Sequence, residues 1–303
     1  MPKLKKKIAL AYRQFCYRND TIWTSEQTSN AIGESIKNKT PLSVGKLGNV
    51  ESNAVDLYNR RSMPENFPTS DWGKVGHKLY KNAGVFPEAH SSFREFCSTY
   101  VQALGEIDVL GIWYHKTERH VIKEYAQQAQ LSDVSVLSPE VSLDSAKYWA
   151  QFLQDKRVLV IHPFTQTIKS QYRKRELIWP KHSHLLPNFE IKTIKTPLSA
   201  SISPSKYTSW SLGLEDLKKQ MAGVDFDVAL IGAGAWSIPL ATYAKELGKV
   251  GIHTGGATQL FFGIKGNRWE KHEQPSFYNA HWTRPCSSET PEGANKVEKA
   301  CYW

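Results

Sequence analysis

At 303 residues the chain can bury one large core or two modest ones, and its 40% hydrophobic content excludes a disordered chain. Lys and Arg number 39 against 29 Asp and Glu, a net charge of +10, which favours anionic partners (phosphates, nucleic acid or an acidic membrane face) without choosing among them. Cys16, Cys97, Cys286 and Cys301 show no C-x-x-C spacing, which argues against a zinc site or disulfide framework and fits a reducing, cytoplasmic compartment.

No apolar run approaches the ~20 residues of a membrane span, and the start of the chain lacks the apolar core and cleavage site of a signal peptide. Residues 3–15, KLKKKIALAYRQF, read as a short basic helix with Leu4, Ile8, Ala11, Tyr12 and Phe15 on one stripe. Such a helix either rests on an anionic membrane surface, a peripheral contact, or docks with one face solvated. A second helix is expected over 26–39. Residues 41–47 read as a strand, followed by Gly48, Asn49, Val50 and Glu51. A helix then begins near Val50, with Ala54, Leu57 and Tyr58 inward. Asn49 suits an N-cap and Glu51 suits the positive end of the helix dipole. The functional alternative is that both project beside a ligand at the strand's carboxyl end.

Residues 59–105 read as a helical insertion rather than a separate domain. A strand over 107–113, a helix over 116–130, a short strand over 134–137 and a helix over 142–153 follow. Residues 157–161 form a strongly apolar strand, the pattern of a sheet covered on both faces. Pro163 breaks it, leaving His162 at its carboxyl end, with Gln166, Lys169, Gln171 and Arg173 following along the same edge. A strand over 190–196, a Ser-rich loop over 200–210 and a helix over 213–223 complete the approach to the central stretch.

That stretch, residues 226–267, contains a strand over 228–231, the turn Gly232-Ala233-Gly234-Ala235, and a helix opened by Ser237 and Pro239. Leu240, Tyr243, Ala244 and Leu247 sit at i, i+3, i+4 and i+7 of that helix. Ser237 is the candidate N-cap and Gly248 the stop. A second strand over 250–253 ends in His253, Thr254, Gly255 and Gly256. The strand–turn–helix–strand unit belongs to a parallel sheet, whose ligands bind at the carboxyl ends of the strands. Gly232, Gly234, Gly255 and Gly256 are therefore candidates for cradling phosphates, or they only permit tight turns. The first turn is not a dinucleotide fingerprint, because Ile238 stands where a third Gly is required and no acidic residue closes the next strand. The tail from Asn267 is aromatic, polar and without period, so it is expected to pack over the sheet or across a site.

The chain resembles the GT-D type glycosyltransferases and their relatives in bacterial surface-polysaccharide gene clusters. The stretches that carry the resemblance are SVGKLGNVES (43–52), similar to the family's R-x-G-D-G-E turn, HPFTQTIKSQ (162–171), and 227–256 with its G-A-G and H-T-G-G turns. NAHWTRP and the CYW end resemble the same subgroup. The resemblance implies an α/β, Rossmann-like, mostly parallel sheet with helices on both faces. In that reading 1–40 is an N-terminal helical segment, 41–266 the core domain, and 267–303 an irregular tail. It implies a transferase using a nucleotide diphosphate-sugar donor and a lipid-linked or oligosaccharide acceptor, with no nucleic acid expected.

On this resemblance Glu51 is the base or a metal ligand; His162 and His253, at equivalent strand ends, are catalytic candidates, and they or Lys169 or Arg173 would offset charge on the diphosphate. Gly48, Asn49, Gln166, Lys169, Gln171, Arg173, Gly232, Gly234, Trp236, Thr254, Gly255 and Gly256 would bind the donor. Trp113 or Trp236 would stack a base or sugar. The family's D-x-E motif serves a divalent cation, Mn or Mg. Here it reads Asn49-Val50-Glu51, and an amide oxygen coordinates without bringing charge. A non-catalytic sugar-nucleotide or polysaccharide-binding relative, and a basic nucleic-acid binder, are the rival classes. The second lacks any recognition motif.

Overall fold

The computed structural model describes residues 11, 14–60, 71–115, 117–143, 147–199, 201–270, 275–297 and 299–303. Most of the basic stretch at 3–15 therefore lies outside the described residues. Among these residues no helix is long and apolar enough to cross a membrane.

Eight strands form one sheet: β1 (Ile22–Trp23), β2 (Leu42–Lys46), β3 (Val109–Ile112), β4 (Gln130–Asp133), β5 (Arg157–His162), β6 (Glu190–Lys195), β7 (Val228–Ile231) and β8 (Val250–His253). Their order is β1-β4-β3-β2-β8-β7-β5-β6, with every pair parallel. The apolar runs are continuous because both faces are covered. In β5, Val158 and Val160 enter one core while Leu159 and Ile161 enter the other. In β7, Val228 and Leu230 divide from Ala229 and Ile231 in the same way.

One face carries α2 (Asn49–Arg60), α3 (Asp71–Lys78), α4 (His90–Glu106), α5 (Glu118–Tyr125), α8 (Trp210–Ala222) and α9 (Ser237–Glu246). The other carries α1 (Ser25–Asn38), α6 (Thr165–Tyr172), the single turn α7 (Arg175–Ile178), α10 (Ala257–Phe261) and much of the tail. Leaving β2 the chain turns to the first face, leaving β8 to the second, leaving β7 to the first and leaving β5 to the second. Neighbouring strands thus send their connections to opposite sides, which opens a crevice at their carboxyl ends.

Several expected elements are displaced. The helix expected over 116–130 is α5, Glu118–Tyr125, because Gln130 is taken by the sheet, paired opposite Val109. The strand expected over 134–137 is a 3-10 turn, Val134–Leu137, and β4 precedes it. There Asp133 Oδ1 accepts the Ser135 N–H and turns the chain, while Val136 and Leu137 stay buried. The helix expected over 142–153 is, among the described residues, a 3-10 turn at Trp149–Leu153. Its Trp149 indole N–H donates to Val136 O, so tertiary contacts rather than a helical ladder bury it. Asn49 and Ser237 are the first residues of α2 and α9 rather than their caps. Asn49 Oδ1 accepts from Asn53, and Ser237 Oγ accepts the Ala233 N–H.

Candidate functional site

A cavity of about 530 Å³ occupies that crevice. It takes its walls from the ends of β2 (Lys46 to Glu51), β3 (Trp113), β5 (His162 to Phe164), β7 (Gly232 to Gly234) and β8 (His253, Gly255, Gly256). The tail closes it with Arg268, Trp269, Tyr302 and Trp303. The tail has no periodicity because it is fixed by single contacts: Trp303 N–H groups donate to Glu289 O and Ala300 O, and Arg284 donates to Trp303 O.

Lys46 is the last residue of β2 and is 9% exposed. Burial lowers its pKa to about 8, and the nearby Arg268 charge pushes the same way against the pull of Glu140. Its ammonium lies 5.2 Å from the centre of the Trp113 ring. Trp113, 43% exposed, stands on a loop held by Glu118. The Glu118 carboxylate accepts N–H groups of Trp113 (3.0 and 3.1 Å) and His115 (3.2 Å). Burial raises that carboxyl to about 7 despite these bonds. On the other wall Arg268 donates to Tyr302 Oη at 3.1 Å.

Both strand-end histidines are neutral, their pKa values lowered to about 3 chiefly by burial. They differ in tautomer. His162 Nδ1 accepts the Phe164 N–H at 3.0 Å, which leaves the ring proton on Nε2. His253 Nδ1 lies 3.3 Å from Ile231 O, an acceptor, which places the proton on Nδ1 and the lone pair on Nε2. Glu51 folds back over Gly48, where any Cβ would run into its carboxylate.

The glycines are required by the turns themselves. Gly234 and Gly255 have φ of +55° and +60°. A Cβ at Gly232 would sit 2.6–2.8 Å from Thr258 Oγ1, His162 Cδ2 and Gly255 O.

Of the residues singled out in the sequence, Gly48, Asn49, Glu51, His162, Gly232, Gly234, Trp236, His253, Gly255 and Gly256 line this one cavity. Trp236 is 4% exposed, with its indole N–H on Trp210 O, so Trp113 presents the open aromatic surface. Gln166, Lys169, Gln171, Arg173 and Thr254 are not on the wall. The reason lies in the tail. Glu289, 1% exposed, accepts the N–H groups of Gln166 (2.7 Å) and Thr167 (3.1 Å) and the Thr167 hydroxyl (2.6 Å). The start of α6 is therefore already capped by a carboxylate. Gln171 ties the tail down through Gly263 O and His281 O, Lys169 and Arg173 face solvent, and the Thr254 hydroxyl bonds Thr258.

Sequence reasoning passed over Lys46, Arg268, Glu140 and Gln259, which all line the cavity. Lys46 carried a signal: a lone cation ending a buried strand inside the quoted 43–52 stretch. The other three sit on irregular segments or a five-residue helix. As a metal centre the cavity fits poorly. Among the described residues no group of three or more His, Cys, Asp or Glu could hold an ion, and Asn49 Oδ1 is engaged by Asn53.

A doubly wound parallel sheet with a glycine-turned cavity at its switch point, lined by Lys46 and Arg268 as well as Glu51 and Glu140, defines the class. A profile of the GT-D fold-like domain matches residues 23–261, and the chain belongs to that family. No curated protein matches the sequence. Two solved structures are similar. A selenomethionine-substituted domain of unknown function 1792 is 11% identical over 89% of this chain and 92% of that chain, with a TM-score of 0.45. A glycosyltransferase of the same domain type from Streptococcus sanguinis is 13% identical over 89% and 96%, with a TM-score of 0.43.

Proposed function

We propose that this chain is a glycosyltransferase that takes a nucleotide diphosphate-sugar. The observation that carries this reading is the convergence of Lys46, Arg268, Glu51 and both glycine turns on one cavity of about 530 Å³, a size suited to a ligand of this kind. Membership of the GT-D fold-like family supports it. The donor diphosphate lies between the Lys46 ammonium and the Arg268 guanidinium, which offset its charge. The neutral histidines do not supply that charge: His162 offers an N–H donor, and His253 a lone pair. Trp113 stacks the base or a sugar.

In the transfer step the acceptor hydroxyl oxygen bonds to the anomeric carbon. The bond from that carbon to the diphosphate oxygen breaks, and its electron pair leaves with the diphosphate. Glu51 receives the hydroxyl proton. The acceptor is a glycan, lipid-linked or free, of a bacterial surface polysaccharide, and the basic stretch at 3–15 is the proposed contact with an anionic membrane surface.

The test is donor turnover by Glu51→Gln. Loss of transfer and donor hydrolysis with donor binding retained supports the reading, and full activity removes Glu51 from it. Asn49 in place of an acidic residue favours a second reading, a non-catalytic sugar-nucleotide binder. Wild-type protein that binds the donor yet neither hydrolyses nor transfers it would establish that one.

A further inference from the structure

Three residues that line the cavity carry a buried atom with no hydrogen-bond partner among the described residues, Thr196 Oγ1, Glu140 Oε2 and Gln259 Oε1, and the last two stand on elements that pack together. Gln259 is fully buried and its orientation is fixed. Its amide nitrogen donates to Tyr302 O at 2.8 Å, so the carbonyl oxygen faces away from that contact. Glu140 stands on the 3-10 turn Pro139–Val141, which packs against α10, the helix that carries Gln259. Burial raises the Glu140 pKa while its own backbone N–H and the Lys46 charge lower it, and Oε2 itself has no hydrogen-bond partner among the described residues. An unpartnered buried acceptor costs stability, and two on one wall mark a place where a ligand brings donors.

We infer that Glu140 and Gln259 form a subsite for a vicinal pair of sugar hydroxyls. This deepens the donor reading above and rests on it for the identity of the ligand. The chemistry is that of a ring whose adjacent O–H groups donate to Glu140 Oε2 and Gln259 Oε1. Both the ribose of the nucleotide and the transferred sugar carry such a pair. Lys46 lies beside the subsite, so the diol belongs to a ring attached to the diphosphate. Glu140 acts here by accepting hydrogen bonds, and it takes no proton in the reaction.

Calorimetric titration of the wild-type chain, Glu140→Met and Glu140→Gln tests this. The probes are inorganic pyrophosphate, the four common ribonucleoside diphosphates, their 2′-deoxy counterparts and UDP-glucose. The wild type is expected to prefer the hydroxyl-bearing probe by about tenfold or more. A ribose source appears as ribo over 2′-deoxy. A transferred-sugar source appears as UDP-glucose over UDP, with ribo and deoxy alike. Glu140→Met erases the preference, read as the affinity ratio of hydroxyl-bearing to hydroxyl-lacking probe so that any change in the Lys46 charge cancels, and does not lower the melting temperature of the unliganded protein, because it removes an unsatisfied carboxylate. Glu140→Gln, which keeps an acceptor oxygen, retains the preference. A preference that survives Glu140→Met overturns the subsite, as does a lowered melting temperature with discrimination intact. Absence of pyrophosphate binding with the hydroxyl preference intact overturns the diphosphate reading and leaves the subsite standing. Absence of binding by every probe overturns both.

Discussion

The ammonium of Lys46, ending β2, lies 5.2 Å from the centre of the Trp113 ring beyond β3, so a cation and an open aromatic face share one side of the cavity. Burial lowers Lys46 to about 8 from the ordinary 10.5. Between those values the unfolded chain holds the proton more often than the folded one. Stability of the unliganded protein therefore rises with pH across that window and gains nothing below it. Ligand binding runs the other way. On the proposed donor site a diphosphate needs the cation, so its affinity is expected to be full below pH 8 and to fall by up to about tenfold per unit above it. Lys46→Met is expected to weaken pyrophosphate by about 10- to 100-fold, as for a charge-assisted bond of about 1.5–3 kcal/mol, and to flatten the pH dependence. Calorimetry at pH 7 and pH 9 reads both effects.

Glu289 joins the tail to the core. Its buried carboxylate holds two backbone N–H groups and a hydroxyl at the start of α6. Glu289→Ala leaves those donors unsatisfied and is expected to destabilise the chain by about 2–4 kcal/mol, read from the urea midpoint. Because the same tail carries Arg268, Tyr302 and Trp303 into the cavity, pyrophosphate affinity should fall with it. Unchanged stability would mean that the carboxylate is not what anchors the tail.

Two glycines separate turn geometry from site geometry. Gly232→Ala forces a Cβ into Thr258, His162 and Gly255, with an expected cost of ~2 kcal/mol and lost ligand binding. Gly248, at φ +76°, has open space where a Cβ would go. Gly248→Ala is expected to cost only the strain of about 1 kcal/mol and to leave binding intact. Thermal unfolding with and without pyrophosphate distinguishes the pair.

At the opposite, amino-terminal edge of β5 and β7, Arg157 donates to Asp227 and holds its carboxyl at about 2, below the ordinary 3.8. Its contribution is therefore present above pH 3.8 and lost as pH falls towards 2. Arg157→Met should shift the acid-unfolding transition to higher pH, measured by circular dichroism.

The sequence by itself determined the central strands of the sheet and the edge at which the cavity opens, but not β1 or the place of β4. The runs at 157–161 and 228–231 are apolar on both sides because both faces are covered, and this pattern is local to each strand. The turns after β2, β5, β7 and β8 were legible for the same reason. Gly232, Gly255, His162 and Glu51 each sit at the break of a strong strand signal, and parallel pairing then carries all four to one rim. Only the tertiary structure decided which neighbours of those turns reach the cavity. Gln166 looked as well placed as Glu51, but Glu289, more than a hundred residues later, caps the helix beside it. Arg268 enters on a loop tied to Cys301 by a long-range bond, and Glu140 and Gln259 enter on a three-residue turn and a five-residue helix, too short to show a repeat. Periodicity encodes burial along one element, whereas a cavity wall is an agreement between distant elements, which is settled only when they pack.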